Sequence, residues 1–204
     1  NGMDIHVQQR ENANENLFIL LHGFGSSTYS WQKVMDPLAE FGSVIAYDRA
    51  AFGLTERIFP ADDDSGNPYL FQNQPDVVVK LIGNKQIDKI ILVGNSTGGA
   101  VALQTALNYP DQIDALILVS PAVYGSGGAP KWIKPFLNLP QFDRLGPIFV
   151  RSIRERGVDI LKMAWSDPEK ITSQDLENYK KPLSIENWDM ALWEYTKDNG
   201  DKDL

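Results

Sequence analysis

The stretch Lys89-Ile90-Ile91-Leu92-Val93-Gly94-Asn95-Ser96-Thr97-Gly98-Gly99 decides how this chain is read. Lys89 to Val93 is a short, solid apolar run, the pattern of a strand covered on both faces. From roughly Gly98 to Asn108 the pattern turns helical, with Val101, Ala102, Thr105 and Ala106 forming one stripe. Between the two stands Gly-x-Ser-x-Gly. A strand-to-helix turn this sharp forces its serine into strained backbone angles, and side chains two positions to either side would clash, hence Gly94 and Gly98. Such a turn lifts the Ser96 hydroxyl clear of the carboxyl edge of the sheet. It also aims the first helical N–H groups, that of Thr97 among them, at whatever the hydroxyl attacks. The rival reading is a phosphate-gripping turn, but no P-loop lysine follows and the G-x-G-x-x-G spacing is absent. Ser96 is therefore expected to be a nucleophile.

Outward from this turn the same alternation continues. Met3, Ile5 and Val7 alternate as in a half-exposed strand over Met3 to Val7, and Leu17 to Leu21, Val44 to Tyr47 and Ala115 to Val119 repeat the solid buried-strand pattern. Trp31, Val34, Met35 and Leu38 fall at helical spacing. The expected fold class is α/β, a mostly parallel, doubly wound sheet with helices on both faces. After Val119 the rhythm changes: Ser120 to Pro130 is rich in Gly, Pro and Ser, and no buried-strand run follows. Helical segments are expected over Lys131 to Asn138, Leu145 to Arg154 and Val158 to Trp165, with capped starts at Thr172 and Ser184. Thr172 and Asp175 form a weak capping box, and Ile185, Trp188, Ala191, Leu192 and Tyr195 form an apolar face. The expected division is a core over residues 1–124 and a helical block over 125–204.

Bulk properties exclude several function classes. The 204 residues, 43% of them hydrophobic, can bury a sizeable core. With 19 Lys and Arg against 27 Asp and Glu the net charge is −8, and no basic stripe could neutralise a phosphate backbone, so nucleic acid is not an expected partner. The absence of Cys removes disulfides, thiolate metal sites and cysteine nucleophiles together. No apolar run approaches the roughly 20 residues that cross a bilayer. The chain opens at Asn1, as it would had an upstream segment been removed, and no signal peptide is visible; a cytoplasmic location is the expectation. Asp62 to Asp64 reads as a solvated loop and Gly125-Ser126-Gly127-Gly128 as a hinge. No metal site and no cofactor is expected.

Two further stretches carry a resemblance. Leu21-His22-Gly23-Phe24-Gly25-Ser26 resembles the H-G-x-G oxyanion loop of the α/β-hydrolase superfamily. The resemblance implies that the backbone N–H groups of Phe24 and Thr97 together bind a developing oxyanion. It also implies that His22 and Gly23 shape the loop, His22 without acting as the base. Losing one such donor costs on the order of 3 kcal/mol of transition-state stabilisation. Tyr47-Asp48-Arg49-Ala50-Ala51-Phe52-Gly53-Leu54-Thr55 is similar to the D-R-P-G-F-G loop of many relatives, with Ala50-Ala51 where Pro-Gly is usual. Asp48 is expected to brace that loop. The resemblance spans Gly2 to Val123 well, and the helical block looks like the lid inserted after the sixth strand of the superfamily.

A serine hydroxyl needs a base within hydrogen-bond reach, itself oriented by a carboxylate. The chain has two histidines: His22 belongs to the loop just described and His6 to the edge-like Met3–Val7 segment. The superfamily order is Ser, acid, His, on loops after the last two strands. Asp201 and Asp203 lie in a polar tail with no strand before them. The triad acid and histidine, the final strands and the first strand are therefore expected outside this sequence. The expected activity is cleavage of a small or medium carboxylic ester through an acyl-Ser96 intermediate. Serine at the elbow argues against haloalkane dehalogenases and epoxide hydrolases, whose nucleophile is Asp. Carbon–carbon bond hydrolases, thioesterases, lactonases and cofactor-free perhydrolases share every feature so far, and a non-catalytic ligand-binding relative is the alternative from another class. Trp132, Trp165, Trp188 and Trp193 fall in the helical block, where core packing explains most and one or two would line a cleft. Oligomeric state stays open.

Overall fold

The computed structural model describes residues 2–60, 66–83, 87–123 and 140–198. Five strands, β1 (Val7–Arg10), β2 (Asn16–Leu21), β3 (Ser43–Tyr47), β4 (Lys89–Asn95) and β5 (Ala115–Val119), form one sheet in the order β1-β3-β2-β4-β5. Only β1 runs antiparallel, against β3 with Val7 opposite Tyr47 and Arg10 opposite Val44. The other pairs are parallel, with Leu20 opposite Val93 and Val93 opposite Ile117. Helices α1 (Gln32–Leu38), α2 (Gln74–Ile82) and α3 (Thr97–Asn108) connect the strands. The apolar runs fill both faces. Leu17, Ile19, Leu21, Ile45, Leu92 and Val101 pack on one side, and Phe18, Leu20, Trp31, Met35, Val44 and Val93 on the other. Parallel strands buried on both faces require such solid runs, which is why β2, β3 and β4 were legible as strands.

Several expectations are corrected. The alternating residues Met3 and Ile5 precede β1: Met3 packs with the helical block and Ile5 with the sheet core, so each is drawn to a different cluster without any ladder. Among the described residues β5 is not covered on both faces. It ends the strand order, its residues alternate between exposed and half-buried, and Ile117 and Val119 are each 45% exposed. The segments Leu145 to Arg154 and Val158 to Trp165 form one helix, α4 (Pro140–Ala164), because Gly157 lowers helix propensity without ending the helix.

Two shorter helices follow, α5 (Ser173–Lys180) and α6 (Trp188–Asp198). The Thr172 capping box is present in full: its hydroxyl accepts from the Asp175 N–H, and the Asp175 carboxylate accepts from the Thr172 N–H. Ser184 is not a cap. Its hydroxyl donates back to the Lys181 carbonyl at 2.7 Å, closing a 3-10 turn, and the chain reverses through Asn187 at φ 58° before α6 starts. Helices α4 and α6 meet where the Trp193 ring packs on Gly146, so close that a Cβ there would stand 2.1 Å from it. Packing therefore accounts for Trp193. Trp132, Lys131 to Asn138, the Gly125–Gly128 run, Asp62 to Asp64, Asp201 and Asp203 lie outside the described residues.

Candidate active site

β4 delivers Ser96 to the carboxyl edge of the sheet. Ser96 has φ 50° and ψ −119°, a left-handed conformation that a side-chain-bearing residue adopts only under local constraint. The constraint is visible. The Ser96 N–H donates to the Val119 carbonyl at 3.0 Å, and the Ser96 carbonyl accepts from Gly99 and from Ala122 at 3.0 and 2.9 Å. The flanking glycines leave no room for a side chain: a Cβ on Gly98 would stand 2.2 Å from the Leu21 carbonyl oxygen, and one on Gly94 2.5 Å from the Gly99 Cα.

The loop after β2 closes against this turn. A Cβ on Gly23 would fall 3.0 Å from Asn95 Oδ1 and 3.3 Å from the Ser96 Cβ, so the His22–Phe24 backbone runs alongside the serine. No described residue accepts from the N–H of Phe24 or of Thr97. The Phe24 ring is half exposed and stacks edge-on against Phe52. His22 is wholly buried. Its Nδ1–H donates to the Gly23 carbonyl at 2.8 Å, and its Nε2 accepts from the Arg49 N–H at 3.0 Å. This pattern fixes the neutral tautomer. Burial, reinforced by the neighbouring Arg49 charge, pushes its pKa down to about 3. Both nitrogens of His22 are thus engaged within the loop, and its burial disfavours the protonated form.

Asp48 braces the next loop as expected. Its carboxylate accepts from the backbone N–H of Thr28 at 2.6 Å and of Leu54 at 2.7 Å. Burial raises its pKa, and those two bonds oppose the shift. Gly53, at φ 55°, lies so near that a Cβ would overlap the Asp48 carboxyl carbon. Ala51 takes φ 74° where a glycine would sit without cost. Ala50 and Ala51 are buried against Ala191, Leu192 and Tyr195 of α6, so small side chains here let the helical block approach the core.

His6 does not reach the serine. Val7 pairs with Tyr47, so His6 stands at the carboxyl edge, but three strand spacings from β4, roughly 14 Å. Its N–H is held by Thr55 Oγ1 and its carbonyl by the Asp48 N–H. Among the described residues no cluster of His, Cys, Asp and Glu suits a metal ion. A hollow of about 280 Å³ lined by Glu11 to Leu17, Ser43 and Ile87 lies at the starts of β2 and β3, the opposite edge from Ser96.

One feature escaped the sequence. Arg49, fully buried, connects the His22 loop, Thr97, Gln74 at the start of α2 and Tyr195 of α6. The helical block is fastened nearby as well, by Tyr29 Oη donating to Asp175 at 2.7 Å and by edge-on stacking of Tyr29 on Tyr179.

The chain belongs to the α/β-hydrolase fold family, whose profile matches residues 16–150. It is 31% identical to the AB hydrolase superfamily protein YfhM of Bacillus subtilis over 209 residues, 94% of this chain and 71% of that protein. Among solved structures it is similar to Cfl2 of Burkholderia cenocepacia, with a TM-score of 0.75 at 21% identity over 96% of this chain and 67% of that one. It is similar also to the epoxide hydrolase CorEH, with a TM-score of 0.73 at 21% identity over 98% and 71%. At such identities the two structures speak for the fold alone. The chain spans less than half the length of the next two curated relatives it matches, 43% and 22%. Among the described residues no helix is long and apolar enough to cross a membrane.

Proposed function

We propose that the protein is a serine hydrolase that cleaves a small or medium carboxylic ester through an acyl-Ser96 intermediate. The observation that carries this reading is the strained left-handed Ser96 between β4 and α3, with the Gly23–Phe24 backbone packed against its Cβ. In the proposed reaction Ser96 Oγ attacks the ester carbonyl, giving up its proton to a base. The carbonyl oxygen becomes an oxyanion, and the N–H groups of Phe24 and Thr97 receive it. Collapse expels the alcohol, and water then hydrolyses the acyl-serine by the same route. A serine nucleophile separates this chain from an epoxide-opening aspartate mechanism, although CorEH shares the fold. The division into a core over 1–124 and a helical cap over 125–204 belongs to the same proposal: packing of α6 on Ala50 to Phe52 supports a roof over the site that sets substrate size.

His22 is locked neutral and His6 is three strands away, so the base and its carboxylate are proposed to come from residues beyond those described. Residues 1–204 by themselves would then bind an ester-like ligand without turning it over. The test is pre-steady-state hydrolysis of p-nitrophenyl esters by the full-length protein. The expected result is a burst of about one p-nitrophenolate per protein, lost in Ser96→Ala. A burst that survives Ser96→Ala contradicts the proposal.

A further inference from the structure

Among the described residues Arg49 is a buried cation without a counter-ion. Its five N–H donors are all used, and every acceptor is neutral: Nε and Nη2 to Gln74 Oε1 at 3.0 and 2.9 Å, Nη2 to Tyr195 Oη at 3.0 Å, and Nη1 to the His22 carbonyl at 2.8 Å and to Thr97 Oγ1 at 2.9 Å. No carboxylate among the described residues pairs with it. Burying a charge in this way costs stability, since neutral acceptors return only part of the lost hydration. What the arrangement supplies is geometry. A planar fork with five donors holds several acceptors in fixed directions, which a lysine with three rotatable donors cannot do.

The acceptors lie in telling places. His22 begins the loop that carries Phe24, and Thr97 follows the nucleophile, so one guanidinium nitrogen, Nη1, ties together the two segments bearing the proposed oxyanion donors. The other, Nη2, reaches α6 through a tyrosine hydroxyl. The Tyr195 ring in turn lies 4.7 Å from Phe52 and 6.0 Å from Phe24, centroid to centroid, and Arg49 sits over both the Phe52 and Tyr195 rings. The helical block therefore touches the Phe24 segment directly and the Thr97 segment through Arg49.

We infer that Arg49 is a positioning residue through which helix α6 sets the oxyanion geometry, the Tyr195 hydroxyl and Thr97 Oγ1 acting as the two ends of one relay. This rests on Ser96 being the nucleophile. Removing either end takes away one of the five bonds that set the guanidinium's direction and breaks the line between α6 and the Thr97 segment, so once one end is gone the other has little left to transmit.

The test is a double-mutant cycle in the full-length protein, reading the rate at which a fluorophosphonate reacts with Ser96 and, with an ester substrate, kcat and KM separately. Tyr195→Phe and Thr97→Val each remove one hydrogen-bonding oxygen and keep the shape and the Thr97 backbone N–H. The expected losses are about 5-fold for Tyr195→Phe and about 10-fold for Thr97→Val, with the double variant near 10-fold where independent effects would give about 50-fold. The loss should fall on kcat, with KM within about twofold. Arg49→Lys should react about 100-fold more slowly, and its charge should not rescue it. If Arg49→Lys does not fold, the cycle between the other two decides alone. Losses that multiply, or that appear in KM, overturn the inference and leave the serine reading intact. A parent protein that the fluorophosphonate does not label overturns both.

Discussion

The elbow side of the sheet and the helical block reach their precision by different means. Around Ser96 the tightest contacts are backbone to backbone: Gly98 on the Leu21 carbonyl and Gly94 on Gly99. Within the block and where it is fastened to the core they are side chain to backbone or side chain to side chain, as with Trp193 on Gly146 and Tyr29 on Asp175. Backbone contact permits one residue type, whereas a helix face accepts any apolar residue of suitable volume. The elbow side is therefore written in glycines and the helical block in replaceable side chains.

Glycine substitutions would break this comparison most directly. Gly98→Ala should destabilise the protein by about 4 kcal/mol or more, or prevent folding, because neither Leu21 nor the start of α3 can move without opening the β2–β4 pair. Thermal or urea unfolding measures it. A loss below about 1 kcal/mol would mean that the turn is looser than its geometry implies.

Next in size is the acid sensitivity set by His22. The unfolded imidazole binds a proton below about pH 6.5, whereas the folded one, with its pKa near 3, does not until far lower. Stability is thus full above pH 6.5 and is lost as pH falls towards 3, by at most on the order of 5 kcal/mol. Between pH 6.5 and 5, before most carboxylates titrate, the stability of the parent should fall with a slope steeper by nearly one proton than that of His22→Asn. Parallel slopes would show that His22 titrates normally in the folded protein.

The smallest effect has the opposite sign. Gly157 lies inside α4 with nothing within 4 Å of where a Cβ would stand, so Gly157→Ala should stabilise by up to about 1 kcal/mol. That raises Tm by roughly 2–4 °C for a chain of this size. A fall in Tm would mean that α4 depends on this glycine as the elbow depends on Gly98.

The same contrast explains what the sequence disclosed. The turn through Gly94, Ser96 and Gly98 was legible because steric rules act between near neighbours and leave residue-type signatures, whereas the loop of His22 and Gly23 was marked only by its resemblance to the superfamily pattern. The strands β2 to β4 were legible because burial on both faces demands unbroken apolar runs. Arg49 carries no such mark in the sequence, since its partners Gln74, Thr97 and Tyr195 lie between 25 and 146 positions away and polar donors leave no periodicity. Helix α2 left too little signal after the acidic loop to be noticed. Met3 and Ile5 imitated a strand because two clusters drew alternate residues, and Ser184 imitated a cap because serine also closes 3-10 turns.

The central claim is that Ser96 is the nucleophile, and covalent labelling tests it most directly. The full-length protein would be treated with a fluorophosphonate, digested, and the modified peptide located by mass spectrometry. The expected result is a single phosphonyl group on Ser96, absent from Ser96→Ala and slowed in Phe24 or Thr97 variants that displace the oxyanion donors. Modification at any other serine, or equal labelling of Ser96→Ala, would contradict the account.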